Sequence, residues 1–185
     1  MLTTSVAGRL LIEAFEGCEK LVAGTECYVP YYDSVGVLTV GYGHTNLGNV
    51  PPVVIAETAL TKAECDLALS NDLARFEGYV NALGFSLSQN QFDALVSFDF
   101  NTGDLARSSI PEKIRNGDTY AAMATLLLYC HAGGIKLPGL VRRRQAERLM
   151  FLGEIDAALT LADAHTATAN PQMAKAAVEA PATVA

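Results

Sequence analysis

Apolar residues recur at helical spacing along most of the chain. Ala7, Leu10, Leu11, Ala14 and Phe15 follow an i, i+3, i+4, i+7, i+8 pattern, which predicts a first helix with all five on one face. Ser5, Thr4 or Thr3 can cap its start, and Gly17 stops it. The character changes over residues 28–43, YVPYYDSVGVLTVGYG. Tyr, Val and Thr stand there between glycines, so short β-strands with a tight turn at Ser34-Val35-Gly36 are expected. Residues 44–60 hold Pro51-Pro52 with several Gly and Asn and read as a loop.

Helical patterning then returns. Thr61 and Glu64 form a capping box ahead of a stripe of Leu69, Leu73, Phe76, Val80 and Leu83, and Ser88 and Gln91 repeat it before Phe92, Leu95, Val96 and Phe98. Ile110-Pro111-Glu112 reads as another helix start. Asp118 can cap the helix carrying Met123, Leu126, Leu127 and Cys130, which Gly133-Gly134 breaks. Pro138 can open the next helix and Gly153 ends it, after which a small helix runs through Ile155, Ala158 and Leu159. From Asp163 the chain is rich in Ala and Thr with two prolines. The expected organisation is one domain over residues 1–162 and a weakly structured tail over 163–185. Its class is α+β, a small β lobe beside a larger helical lobe with a cleft between them.

Composition narrows the function. The 185 residues are 50% hydrophobic and 18% charged, which excludes disordered and collagen-like chains. A net charge of −7 argues against sequence-independent nucleic-acid binding, which relies on many Lys and Arg at phosphates. No apolar run approaches the ~20 residues of a membrane span, so no stable membrane insertion is expected. The first segment carries Glu13 and Glu16 inside its apolar pattern and lacks a basic n-region, unlike a signal peptide. Synthesis and folding in the cytoplasm are therefore expected. Cys18, Cys27, Cys65 and Cys130 lack metal-ligand spacing, and neither a metal nor a cofactor is expected. Cys65 and Cys130 read as core residues, whereas Cys18 and Cys27 could form a disulfide in an oxidising compartment.

Glu16 falls at the end of the first helix, Asp33 in the β-region, and Thr39 six residues further on. Two carboxylates on different elements facing one gap are what glycoside hydrolysis requires, one to protonate the leaving oxygen and one to act on water or on the sugar. With 20 acidic residues in the chain, such a pair is weak by itself. The surrounding strings are more specific. AFEG at 14–17 followed by YYDSVGVLTVGYGHT at 31–45 closely resembles the signature of phage-type, T4-like lysozymes, the endolysins of glycoside hydrolase family 24. Glu16-Gly17, Asp33, Thr39 and Gly41-Tyr42-Gly43-His44-Thr45 fit that signature in order. QFDALVSFDFNTG at 91–103 and LPGLVRRRQAERLMFLG at 137–153 resemble two further blocks of the family, and the likeness covers about residues 7–155. One departure is a longer connection: Glu16 and Asp33 are seventeen positions apart, with about eight extra residues within Leu21 to Pro30. The extra segment brings Glu19 and Glu26 near the site as rival acids, and Glu16 is preferred because it alone precedes Gly at the helix end.

The resemblance implies a lysozyme-like fold and hydrolysis of the β-1,4 bond between N-acetylmuramic acid and N-acetylglucosamine in peptidoglycan. Glu16 would be the general acid, while Asp33 and the Thr39 hydroxyl would orient the attacking water, giving inversion. Gly43, His44, Phe100 and Asn101 become substrate-contact candidates. His44 also reads as a structural hydrogen-bonder across the base of the β-region, and Phe100 and Asn101 as a core Phe and a helix-stopping Asn. Arg142, Arg143 and Arg144 read as salt bridges and snorkelling stems for two of the three, or as an electropositive cleft wall. A monomer released to the wall by a separate holin-like pore is expected. The alternatives are a lytic transglycosylase, which would not need Asp33 and Thr39, and a non-catalytic peptidoglycan-binding module.

Overall fold

Helix α3 (Gln89–Thr102) is buried at every position from Phe92 to Asp99. A single apolar stripe would bury only three or four residues in two turns, so α3 must be wrapped on all sides. In the computed structural model, α1 (Val6–Glu16), α2 (Lys62–Asn81) and α6 (Pro138–Phe151) pack on it, while α7 (Ile155–Ala169) lies against α1 and α6. The structure describes residues 1–17, 21–22, 25–33, 36–46, 53 and 59–169, with the main chain alone over 164–169. Two shorter helices, α4 (Ile110–Arg115) and α5 (Thr119–Leu126), complete the helical lobe. Leu11, Leu69, Leu95, Phe98, Leu126 and Met150 are all at most 1% exposed at its centre.

The small lobe is built from the extended segments. Strands β2 (Tyr31–Tyr32), β3 (Leu38–Val40) and β4 (His44–Thr45) form an antiparallel sheet, with Tyr31 opposite Thr39 and Val40 opposite His44. The segment read as a loop from residue 44 thus begins with a strand. It also ends with one, because β5 (Leu60–Thr61) pairs with β1 (Cys27–Tyr28). The extra connection after α1 is in this way tied to the start of α2. Helix α2, twenty residues and so about 30 Å long, touches β4 and β5 at one end and α3 along its length. It is the long helix that joins the lobes.

Local signals decide where most helices begin. Ser5 accepts the Gly8 N–H, and both capping boxes form, at Thr61/Glu64 and at Ser88/Gln91. Asp118 accepts the Ala121 N–H, and Pro138 stands in the first turn of α6. Three expectations need correcting. Leu10 is 44% exposed, and α1 buries Gly8, Leu11 and Ile12 instead. The core-facing stripe is therefore rotated toward Asp93 of α3. Gly133-Gly134 is the two-residue turn of a β6–β7 hairpin (His131–Ala132 with Ile135–Lys136) and does not merely interrupt a helix. Helix α7 runs through Asp163 to Ala169, and residues 170–185 lie outside the described residues.

The rotation of α1 has a polar cause. Asp93 is fully buried and accepts from the Ser5 N–H at 3.0 Å, the Ser5 hydroxyl at 2.5 Å and Gln89 Nε2 at 2.9 Å. Such a buried carboxylate is tolerated only when donors surround it. Nearby, Leu2 exchanges hydrogen bonds with the Asn81 side chain, and the Thr4 N–H donates to Glu77. Gly8 leaves the space: a Cβ there would stand 2.6 Å from Asp93 Cγ. Gly8→Ala should therefore cost about 1–3 kcal/mol by overpacking. Urea unfolding should show a lower midpoint, and an unchanged midpoint would contradict the packing argument.

Candidate active site

Glu16 is the last residue of α1, and Gly17, at a φ of 66°, turns the chain away after it. This placement leaves the Glu16 side chain 24% exposed at the boundary between the lobes. It faces a cavity of about 270 Å³ lined also by Tyr42, Gly43 and Thr45 from the β lobe, Asp72, Arg75 and Phe76 from α2, and Phe100 and Asn101 from α3. Of the sequence candidates, the structure brings Glu16, Gly43, Phe100 and Asn101 together around one space. Phe100 meets Phe76 edge-on at 5.2 Å between ring centroids, which gives the floor an aromatic face.

Asp33 and Thr39 belong to the β lobe, and neither lines that cavity. The Asp33 carboxylate accepts the Val37 N–H at 2.8 Å, and its backbone N–H donates to the Val37 carbonyl. Asp33 therefore sits opposite Val37, while Thr39 pairs with Tyr31. Alternation along the strands puts Asp33 and Thr39 on one face of the hairpin as diagonal neighbours. Thr39 is 4% exposed, and its hydroxyl donates to the Val37 carbonyl. His44 is 2% exposed, with its Nδ1 2.8 Å from Asp72 Oδ2. It connects β4 to α2 beneath the cavity. Glu19 lies outside the described residues, as does Cys18. Cys27 is half-buried, and Cys65 and Cys130 are buried.

The turn that brings β4 to the cleft depends on Gly41. Its φ of 61° is left-handed, and a Cβ there would stand 2.8 Å from Cys65 Sγ. Tyr42 follows, 5% exposed, and its hydroxyl donates to Glu13 Oε2 at 3.3 Å. Burial, reinforced by the Glu13 charge, pushes the Tyr42 phenol well above its usual range, so it remains a donor. Lys62 lies 3.5 Å from the same carboxylate and 5.1 Å from the Tyr42 ring centre. Glu13 therefore ties α1, the Gly41–Gly43 turn and the head of α2 together, a role that the helical spacing does not reveal.

The largest departure from expectation is behind Glu16. Arg143 and Arg144 are 3% and 0% exposed, and Glu147 between them is 0% exposed. Arg143 Nη1 reaches Glu16 Oε1 at 2.5 Å, and its Nε lies 3.2 Å from Glu147 Oε1. Arg144 Nη2 donates to Glu147 Oε1 at 3.0 Å and to Asn101 Oδ1 at 2.9 Å, and the Ser97 hydroxyl donates to Glu147 at 2.9 Å. Burial pushes the Arg144 guanidinium below its ordinary value, and the Glu147 carboxylate opposes that shift. The salt bridges expected of two of the three arginines form, but buried, so these residues are neither snorkelling stems nor an exposed wall. They carry the fixed positions of Glu16 and Asn101. Arg142, half-buried, faces away and lines a separate groove with Val141 and Leu161.

A carboxyl at a helix end, in a cleft between a small antiparallel sheet and a helical bundle, defines a lysozyme-like glycoside hydrolase. The family model for phage lysozyme matches residues 14–147. The endolysin of Acyrthosiphon pisum secondary endosymbiont phage 1 is 34% identical over 154 residues, 80% of this chain and 96% of its own length. The SAR-endolysin of Bacteriophage PS119 is 36% identical over 124 residues, 65% and 71% of the two chains. Among solved structures, a variant of P22 lysozyme superposes with a TM-score of 0.69 at 31% identity, covering 82% of this chain and 99% of its own. The muramidase domain of SpmX from Asticaccaulis excentricus gives 0.68 at 30% identity, with 82% and 99% covered. The chain belongs to the phage lysozyme family. It is a peptidoglycan muramidase of the endolysin type.

Breaking the buried cluster should be expensive. Glu147→Gln keeps the shape but leaves two buried guanidinium groups without their carboxylate, at a cost of about 3–5 kcal/mol. Chemical denaturation should register that loss. A variant with native stability would mean that the cluster is solvated.

Proposed function

We propose that the chain cleaves its glycan by an inverting acid/base mechanism with Glu16 as general acid. The carrying observation is the position of Glu16: a cleft-facing carboxyl at a helix end, pinned by a buried arginine that cannot drift. Its partners leave the side chain partly open to the cavity, where a glycosidic oxygen can reach it. Asp33 is the second carboxylate. Held by the Val37 N–H and sharing a hairpin face with Thr39, it activates a water against the opposite side of the sugar ring. Inverting chemistry needs room for that water, with the two carboxyl groups roughly 6.5–9.5 Å apart. Phe100 and Asn101, with Gly43 across the cleft, would contact the sugars, the ring offering an apolar face and the amide a hydrogen bond. His44 supports the β lobe from below.

Peptidoglycan is the substrate, and action on the cell wall follows from it. Among the described residues, no helix is long and apolar enough to cross a membrane. We infer a monomer made in the host cytoplasm that reaches the wall through a separately made holin-like pore. Co-expression with and without such a pore, followed by lysis timing, tests that route. Equal lysis without the pore would refute it.

The mechanism makes two measurable demands. Glu16→Gln cannot donate a proton, so turnover on purified sacculi should fall by about 10²–10⁴ while thermal unfolding stays near that of the parent. If Glu26→Gln loses activity instead, the acid is misassigned. Proton NMR of fresh reducing ends should show the α-anomer. The β-anomer would indicate retention, and a 1,6-anhydro end would indicate a transglycosylase.

A further inference from the structure

Among the described residues, Arg75 is the one basic side chain lining the cleft cavity. It is exposed, unlike Arg143 and Arg144. Its guanidinium stacks on Phe76, 4.6 Å from the ring centre. Stacking of this kind fixes the guanidinium plane and leaves its N–H edge pointing outward. The neighbouring carboxylates have partners of their own, although Asp72 Oδ1 makes no hydrogen bond. Glu16 is bound by Arg143, Asp72 faces His44, and Asp99 accepts the Leu105 N–H. Among the described residues, the ion pairs of the cleft do not include Arg75. Its charge also acts on Asp99, but a planar cation held on an aromatic ring outside the ion pairs of the cleft suits a carboxylate arriving from outside.

The substrate offers such groups. Alternate sugars of peptidoglycan carry short peptide stems with free carboxylates, and this chain is net negative. General attraction to the wall is therefore weak, and a single placed cation counts for more than the overall field. We propose that Arg75 is a recognition site for the peptide-stem carboxylates, selecting substituted glycan over bare glycan. The proposal rests on the muramidase reading above and names a contact that the acid/base chemistry does not require.

The test compares the parent enzyme with Arg75→Ala and Arg75→Lys on two preparations of the same sacculi. One is native, and in the other the carboxylates are converted to amides by carbodiimide coupling with ammonia. Release of reducing ends gives kcat and KM for each pair. For the parent, kcat/KM on native sacculi should exceed that on amidated sacculi by about tenfold, the factor set by one charge-assisted contact of moderate exposure. For Arg75→Ala that ratio should approach one, with the loss carried by KM. Arg75→Lys, which keeps the charge but not the fork, should fall between. Raised salt should shrink the parent's ratio. The proposal is overturned if Arg75→Ala lowers both substrates equally, which would mark a structural role, or changes neither. A parent enzyme that releases reducing ends from neither preparation would instead overturn the muramidase reading beneath it.

Discussion

A single buried carboxylate organises the catalytic side of this molecule. Glu147 has no access to solvent, and an isolated ionised carboxylate there would be too costly to tolerate. Two guanidinium groups and the Ser97 hydroxyl compensate it. Each guanidinium also donates toward the cleft: Arg143 to Glu16, Arg144 to Asn101. Arg143 also lies over the Phe15 ring and Arg144 over Phe98, at 5.6 and 5.0 Å. Glu16 and the cleft amide thus inherit the rigidity of the core, without a flexible chain between them. Glu16 could not be held by a surface lysine with the same precision, because such pairs are solvated and contribute little.

The β lobe is fixed by a second, separate set of contacts. His44 against Asp72, Tyr42 against Glu13, and Gly41 against Cys65 all join the sheet to α1 or α2. None passes through the Glu147 cluster. The cleft is therefore formed between two independently braced walls, one of buried ions and one of close packing with polar ties. Aromatic residues close its floor, with Phe76 and Phe100 in edge-on contact.

Much of this was legible in the residues and much was not, for physical reasons. Capping boxes are local, so Thr61, Ser88 and Asp118 marked true helix starts. The Tyr, Val and Thr between glycines around Asp33 and Thr39 marked the short strands of the hairpin. Buried polar partnerships are not local. Asp93 turned α1 so that Leu10 faces solvent, and no spacing within α1 announces a carboxylate 88 positions beyond Ser5. Likewise Arg143 and Glu147 look like an exposed helical pair, because charge at i, i+4 is usually a surface pattern. Only the buried surroundings of α3 make them structural. The Leu60–Thr61 strand escaped notice because its partner lies in the extra connection, more than thirty residues earlier.

The separation between Glu16 and Arg143 also bears on the order in which the protein is made. Glu16 and the arginine that holds it are 127 positions apart in the chain. Contacts so distant in sequence form late in folding, and the N-terminal helix finds its place only against segments translated after it. A chain that ends before α6 carries Glu16 but lacks its mount.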